Sequence, residues 1–470
     1  MPDFDMAVIG AGAAGLSVTA GAAQLGLRVA LIERHKMGGD CLNFGCVPSK
    51  ALLAASHTAL AARTAGRFGI HLPEPEIDWS AVHAHVHGAI AAIAPVDSEA
   101  RFRSLGAEVM RGEAHFIAPD ALTVNGRRIT ARRVVIAAGS SPAVPPIPGL
   151  DRVPYLTNTS LFDLTERPDH LMILGGGPIG LEMADAFAGL GCRATVVEAA
   201  TIAGKDDPEL VEQLRSQLSA RGVTLLERVK VVAVEPGPTL VLSDDTRISG
   251  THLLVAVGRR PNLADLDLPA GNVRASELGV VTDTGLRSLT NHRVYAVGDI
   301  ADPQGIGPRA FTHVGSYHAG IVIRRALFRL PARLNYAALP RVTYTRPELA
   351  QVGMTEAEAR AAGHRIDIVR SPMADNDRAV TEADPAGLIK LIVSGRRLLG
   401  AGILATNAGE MIGLWGLAIS QRVRLTSLAS HILPYPTRSE AGKRAAGSLF
   451  AQRLFAPRTR RLVRFLARLP

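Results

Sequence analysis

The chain has 470 residues, 47% of them hydrophobic and 20% charged, with a formal net charge of +9. That length predicts two or three domains, each with its own core, and the composition excludes a disordered chain. Six arginines (Arg453, Arg458, Arg460, Arg461, Arg464 and Arg468) and no acid fall in residues 451–470; the basicity belongs to one short tail, and no nucleic-acid partner is expected.

The remaining exclusions concern compartment. No run of eighteen apolar residues suggests a membrane span, and no basic segment with an apolar core marks a secretory leader. Three cysteines is the usage of a reducing compartment, so a cytoplasmic location is expected.

The first segment, "FDMAVIGAGAAGLSVTAGAAQLGLRVALIER", predicts strand, tight turn, helix, strand. Gly10, Gly12 and Gly15 form G-x-G-x-x-G, and Glu33 ends the second strand. Gly10 makes the turn, Gly12 admits a pyrophosphate, Gly15 lets the helix pack on the sheet, and Glu33 can accept from a ribose hydroxyl. The helix N-terminus adds a positive field. This is a dinucleotide site.

Next comes "GGDCLNFGCVPSK", residues 38–50. An ideal helix would hold the Cα atoms of Cys41 and Cys46 roughly 8–9 Å apart, too far for a disulfide. A bonded pair therefore needs a bend, which Gly45 permits. Pro48 tolerates only a first helical turn, so Cys46 lies at or just before a helix N-terminus. A thiol there, near Lys50, should be largely thiolate. A metal site lacks a second Cys/His cluster at ligand spacing; two unrelated thiols is the other alternative.

Further along, "RRVVIAAGSSP" (132–142), which contains Gly139, reads as strand into loop, and the Pro-rich stretch ending at Gly149 as a linker. "LMILGGGPIGLEMADAFAGLGCRATVVEA" then repeats the first pattern with Gly175, Gly177, Gly180 and Glu198. Two dinucleotides imply one fixed redox cofactor and one exchanging hydride carrier. Glu198 would repel a 2′-phosphate and no arginine follows it immediately, so NADH is favoured over NADPH. Cys192 reads as a small buried side chain. Asp299 in "HRVYAVGDIA" (292–301) is placed to bind a ribityl chain. "FTHVGSYHAGIVIRRAL" (311–327) starts a helix aimed at a flavin edge, with His313 and His318 structural.

Together these segments resemble the class I pyridine nucleotide-disulfide oxidoreductases, the family of dihydrolipoamide dehydrogenase, glutathione reductase and mercuric reductase. "AVGRRPN" (256–262) and "VTYTRPELAQVGMTEAEA" (342–359) match as well, and Asp40 stands where threonine is usual. The resemblance implies an α/β fold: two Rossmann-like nucleotide-binding domains, for FAD and NAD(P), plus a C-terminal α+β dimerisation domain. The expected boundaries are 1–150 and 276–335 for FAD, 151–275 for NAD(P)H, 336–450 for dimerisation and 451–470 for the tail. It implies a homodimer, with Gly139, Thr312 and Gly258 joining the cofactor-binding set. It also implies that Cys46 faces the flavin, Cys41 meets substrate, and Lys50 pairs with Glu182 near the flavin. Pro178 stands where many relatives carry an aromatic gate.

In "ILPYPTRSEAGKRAAG" (432–447), Glu440 and Pro436 match the family's His-Pro-x-x-x-Glu, but Tyr435 holds the histidine position. A phenol is a poor base at neutral pH. Mercuric reductases resemble this chain here, with Thr437, Glu440 and Lys443 also matching. They also end in a Cys-Cys pair, whereas no cysteine follows Cys192. His431, four residues off register, is the alternative base. The reading is an FAD-dependent NAD(P)H oxidoreductase, mercuric-reductase-like, with an unidentified small-molecule acceptor. The alternatives are dihydrolipoamide dehydrogenase and a flavoprotein scaffold without turnover.

The tail closes the sequence. A helix started by Pro457 would set Leu462, Val463, Phe465, Leu466 and Leu469 on one arc of roughly 160°, opposite Arg460, Arg461, Arg464 and Arg468. Weak contact with an anionic membrane surface is one expectation, packing on the dimer another.

Overall fold

The structure, a computed structural model, describes residues 1–470 except the side chains of residues 452 and 453; Arg453 of the tail lies outside the described side chains. Its first sheet has a parallel core in the spatial order Ala107–Arg111, Val29–Glu33, Phe4–Ile9, Arg127–Ile136, Val294–Ala296. Met6, Ala7, Val8, Leu31 and Val135 are fully buried. Their near-continuous apolar runs suit strands covered on both faces. Strand Arg127–Ile136 also extends outward into an antiparallel hairpin.

After Ile136 the chain leaves this sheet and builds a second, all-parallel one. Its order is Val223–Glu227, Arg193–Glu198, His170–Leu174, His252–Val255. The last parallel strand of the first sheet comes only after the return. The first residues of the crossing are also held by the returning chain. Ser140–Pro142 on the way out pairs antiparallel with Arg259–Pro261 on the way back. Ala143 N donates to Gly258 O (2.9 Å) and Asn262 N to Gly139 O (3.1 Å). Two crossings between the same sheets run in opposite directions, so their free backbone groups satisfy each other.

The third sheet is antiparallel, in the order Pro340–Thr343, Glu348–Gly353, Arg397–Ala405, Leu388–Ser394, Asp367–Pro372. Helix Ala408–Ser420 packs on it through Trp415, only 2% exposed. Lys390, buried in this sheet, pairs with Asp207 (2.9 Å) and Glu209 (2.9 Å) at the start of helix Pro208–Ala220, and with Glu356 (2.8 Å). That cluster ties the third sheet to the second unit. Among the described residues no helix is long and apolar enough to cross a membrane.

Candidate active site

Each Gly-rich turn closes on itself too tightly for side chains. Gly10 has φ +106°, and a Cβ there would stand 2.4 Å from the Ala137 carbonyl oxygen; one at Gly15 would stand 1.9 Å from the Gly10 oxygen. The second turn repeats this: Gly175 has φ +110°, and a Cβ at Gly180 would lie 2.0 Å from the Gly175 oxygen. A Cβ at Gly177 would meet nothing within 4 Å, and one at Gly12 only the Gly39 Cα at 3.9 Å; both line the cavity, where a pyrophosphate needs bare backbone.

The acids that end the following strands are held by these turns. Glu33 accepts from Ala11 N and His35 N, both at 2.6 Å. Glu198 accepts from Gly176 N (2.7 Å) and Ala200 N (2.8 Å). Each carboxylate oxygen keeps a lone pair free.

One cavity of about 1730 Å³ joins both Gly-rich turns to the cysteine pair. Its lining runs from Gly10, Gly12 and Glu33, past Cys41, Cys46 and Lys50, to Gly175, Gly177 and Glu198. Single ligands typically fill about 300–1,000 Å³, so this space suits two large cofactors meeting at the thiols. Gly139, Gly258, Asp299, Thr312 and Pro178 line it too. The bare turns and paired acids fit an FAD at one end and a pyridine nucleotide at the other.

Cys46 is the first residue of helix Cys46–Arg63, and Gly45 before it folds the chain back on Cys41. Both thiols are free. The Cys41 thiol hydrogen-bonded to Cys46 is the main cause drawing the first proton loss of the pair down to about 6, helped by the Thr312 hydroxyl and the Lys50 charge against the cost of burial. The same bond, with burial, pushes Cys41 up. Thr312 Oγ1 lies 3.3 Å from Cys46 Sγ. Sequence reasoning had assigned Thr312 to the cofactor and missed this contact.

Lys50 Nζ bonds Glu182 Oε2 at 2.6 Å and sits 4.4 Å above the Tyr344 ring. Glu182 comes from helix Pro178–Gly189, beyond the second turn, and also accepts from Tyr344 N (3.0 Å). Through Glu182 the second unit thus reaches Lys50, on the helix that begins at Cys46.

A second network was missed. Asp40, beside Cys41, accepts from Asn158 Nδ2 (2.9 Å) and pairs with Arg259 (3.2 Å). Arg259 also donates to Ser140 Oγ (2.7 Å), which donates to Asp299 Oδ2 (2.6 Å). Burial pushes the Asp299 carboxyl up, opposed by Ser140 and Arg259. The only sequence signals were the unusual Asp40 and the motif around Arg259.

The acceptor-end residues stand apart: Tyr435 and Glu440 do not line the cavity. Tyr435 is 70% exposed, and its hydroxyl donates to Asp377 Oδ2 (3.0 Å), a bond that raises the phenol above its ordinary value. Glu440 caps its own segment, accepting from Thr437 N (3.3 Å). His431 Nδ1–H donates to Leu428 O (2.7 Å), and among the described residues its buried Nε2 has no hydrogen-bond partner. His318 is held between Gly298 N and the Tyr336 hydroxyl, and burial pushes it down to about 4. His313 bonds Pro340 O. Cys192 is buried and pushed up to about 12.

Residues 4–357 match the model of the pyridine nucleotide-disulphide oxidoreductases, and residues 339–446 match that family's dimerisation domain. The mercuric reductase of Streptomyces lividans is 36% identical over 94% of this chain and 95% of its own length; that of Staphylococcus aureus is 33% identical over 94% and 82%. The Escherichia coli HOCl-induced flavoprotein disulfide reductase RclA, solved as a Cu(II) complex, aligns with a TM-score of 0.85 at 27% identity, covering 96% of this chain and all of that one. LpdA from Mycobacterium tuberculosis aligns at 0.86 and 26%, covering 94% and 99%. The chain belongs to the pyridine nucleotide-disulphide oxidoreductase family. It is an FAD-dependent oxidoreductase that uses a pyridine nucleotide, and its dimerisation domain points to a homodimer.

Proposed function

We propose that this enzyme takes hydride from NADH and delivers the electron pair through Cys41 and Cys46 to a thiophilic metal ion, Hg(II) or Cu(II). Gly10, Gly12, Gly15, Glu33, Gly139 and Asp299 would hold FAD, whose chemistry when bound would be to relay the hydride's electron pair to the disulfide. Gly175, Gly177, Gly180 and Gly258 hold the nicotinamide nucleotide, and Glu198 disfavours a 2′-phosphate there.

Reduction opens the disulfide into a thiolate at Cys46 and a thiol at Cys41. The helix N-terminus, Thr312 and Lys50 stabilise the thiolate, and Glu182 fixes Lys50. Cys41 meets the acceptor, where the partner subunit brings a second copy of the Tyr435–Glu440 segment.

The observation that carries the metal assignment is the hydrogen bond from Tyr435 to Asp377. It keeps the phenol protonated, so no near-neutral base stands at this position. Thiol–disulfide interchange needs such a base for Cys41. A thiophilic cation does not, because binding itself displaces the thiol proton. The names of the relatives agree: mercuric reductases, and a reductase solved with Cu(II). One NADH then gives NAD⁺ and a proton while one Hg(II) becomes Hg(0), or two Cu(II) become Cu(I).

The test is NADH consumption with Hg(II), Cu(II), lipoamide and glutathione disulfide in turn. Turnover with a metal ion should exceed that with either disulfide and vanish in Cys41→Ser. Faster turnover with lipoamide, or metal turnover that survives Cys41→Ser, contradicts the proposal.

A further inference from the structure

The C-terminal helix carries five bulky apolar side chains that have no place in any core among the described residues. Helix Pro457–Leu466 starts at its proline and is followed by one more turn, closed by bonds from Ala467 N, Arg468 N and Leu469 N. Leu462, Val463, Phe465, Leu466 and Leu469 are all 50–62% exposed. Just before it, Leu454 and Phe455 are 59% and 60% exposed. None of these belongs to a hydrophobic cluster.

The charge around this apolar stripe is of one sign. After Glu440 the chain holds eight lysines and arginines and no acid. Among the described residues, Arg458, Arg460, Arg461, Arg464 and Arg468 form no ion pair, although arginines elsewhere in the chain pair freely. On the helical wheel Arg460, Arg461, Arg464 and Arg468 fall opposite the apolar arc. A helix that only packed against its own protein would gain nothing from so many unopposed cations. An apolar stripe flanked by arginines matches a surface that is negative at its face and apolar just beneath.

We infer that helix Pro457–Leu466 docks this enzyme on an anionic lipid surface. The helix lies in the plane of the interface, with Phe465, Leu462, Leu466 and Leu469 among the acyl chains and the arginines at the headgroups. Among the described residues no helix is long and apolar enough to cross the bilayer. The docking does not depend on which acceptor the enzyme reduces, because it is read without turnover.

The test is sedimentation of the full-length holoenzyme with phosphatidylserine–phosphatidylcholine vesicles and with phosphatidylcholine alone, at low and high salt, alongside gel filtration. The wild type should pellet with the anionic vesicles and lose at least about tenfold in partitioning on neutral ones or at high salt. Arg461→Glu with Arg464→Glu should cost a similar factor. Phe465→Glu with Leu466→Glu should also abolish pelleting, with NADH oxidation and dimer size unchanged. Three results overturn the inference: no pelleting by the wild type, equal pelleting of wild type and either variant, or dissociation of the dimer by the Phe465/Leu466 change. The last would mean that a second copy of this chain covers the stripe.

Discussion

Cys46 loses its proton before Cys41 because the chain aims three favourable partners at it: the Cys41 thiol, the Thr312 hydroxyl and the Lys50 ammonium. A thiolate beside an oxidised flavin gives a long-wavelength absorption band, so the pair can be followed by colour. In the two-electron-reduced wild type that band should fade as pH falls through about 6. Cys46→Ser should lack it at every pH while still holding FAD. Cys41→Ser should show it without reductant. Since the Cys41 hydrogen bond is the largest cause of the low value, the band should there titrate at higher pH than in the wild type. A Cys41→Ser titration at or below the wild-type midpoint would assign the lowering to Lys50 and Thr312 instead.

Tyr435 makes the opposite argument at the acceptor end. Held by Asp377, it is a donor and not a base. Tyr435→His should raise dihydrolipoamide oxidation with NAD by about 10²-fold or more, the usual scale of a general base. A fast wild-type rate would point to His431. At the nucleotide end, kcat/KM with NADH should exceed that with NADPH; equality would remove the role given to Glu198.

Among elements, what could be read in advance followed locality. Both strand–turn–helix units, the helix beginning at Cys46 and the one beginning at Pro457 are set by residues within a turn of each other, and the structure has them. The pairing of Ser140–Pro142 with Arg259–Pro261 and the link from Asp40 through Arg259 to Asp299 were not legible. Their partners lie more than a hundred residues apart, and nothing in either segment's periodicity names the other.

The Lys390 cluster is of the same kind, and it has a measurable consequence. Lys390→Met leaves Asp207, Glu209 and Glu356 facing one another around a buried site. Breaking a buried pair from one side costs about 3–5 kcal/mol, readable by urea unfolding of the holoenzyme. Glu356 adds a pH signature. Its hydrogen bond from Lys390 first, then Arg360, holds its carboxyl down to about 2. A depressed carboxyl stabilises the fold above its unfolded value, near about 4.3, and loses that contribution as pH falls towards 2. The Lys390→Met protein should therefore lose less stability across that window than the wild type. An unchanged acid limb would deny the cluster its structural role.

The whole molecule is arranged so that two nucleotide sites open into one cavity with the thiols between them. The crossings that link the two parallel sheets also brace the short helix Gly39–Asn43 bearing Cys41, through Asn158 and Arg259. The loop between helices Leu425–Ser430 and Glu440–Leu454 presents Tyr435, with Ile432 nearby 94% exposed, on the outside of the protomer. In the arrangement proposed above, those groups meet the partner subunit's cysteine pair.

The claim on which the rest depends is that Cys41 and Cys46 form a redox couple in series with the flavin. Anaerobic reductive titration of the FAD-loaded enzyme measures it by counting electrons. The wild type should take up two electron pairs per FAD, one for the flavin and one for the disulfide, and Cys46→Ser should take up only one. Uptake of a single pair by the wild type, or of two pairs by Cys46→Ser, would contradict the account.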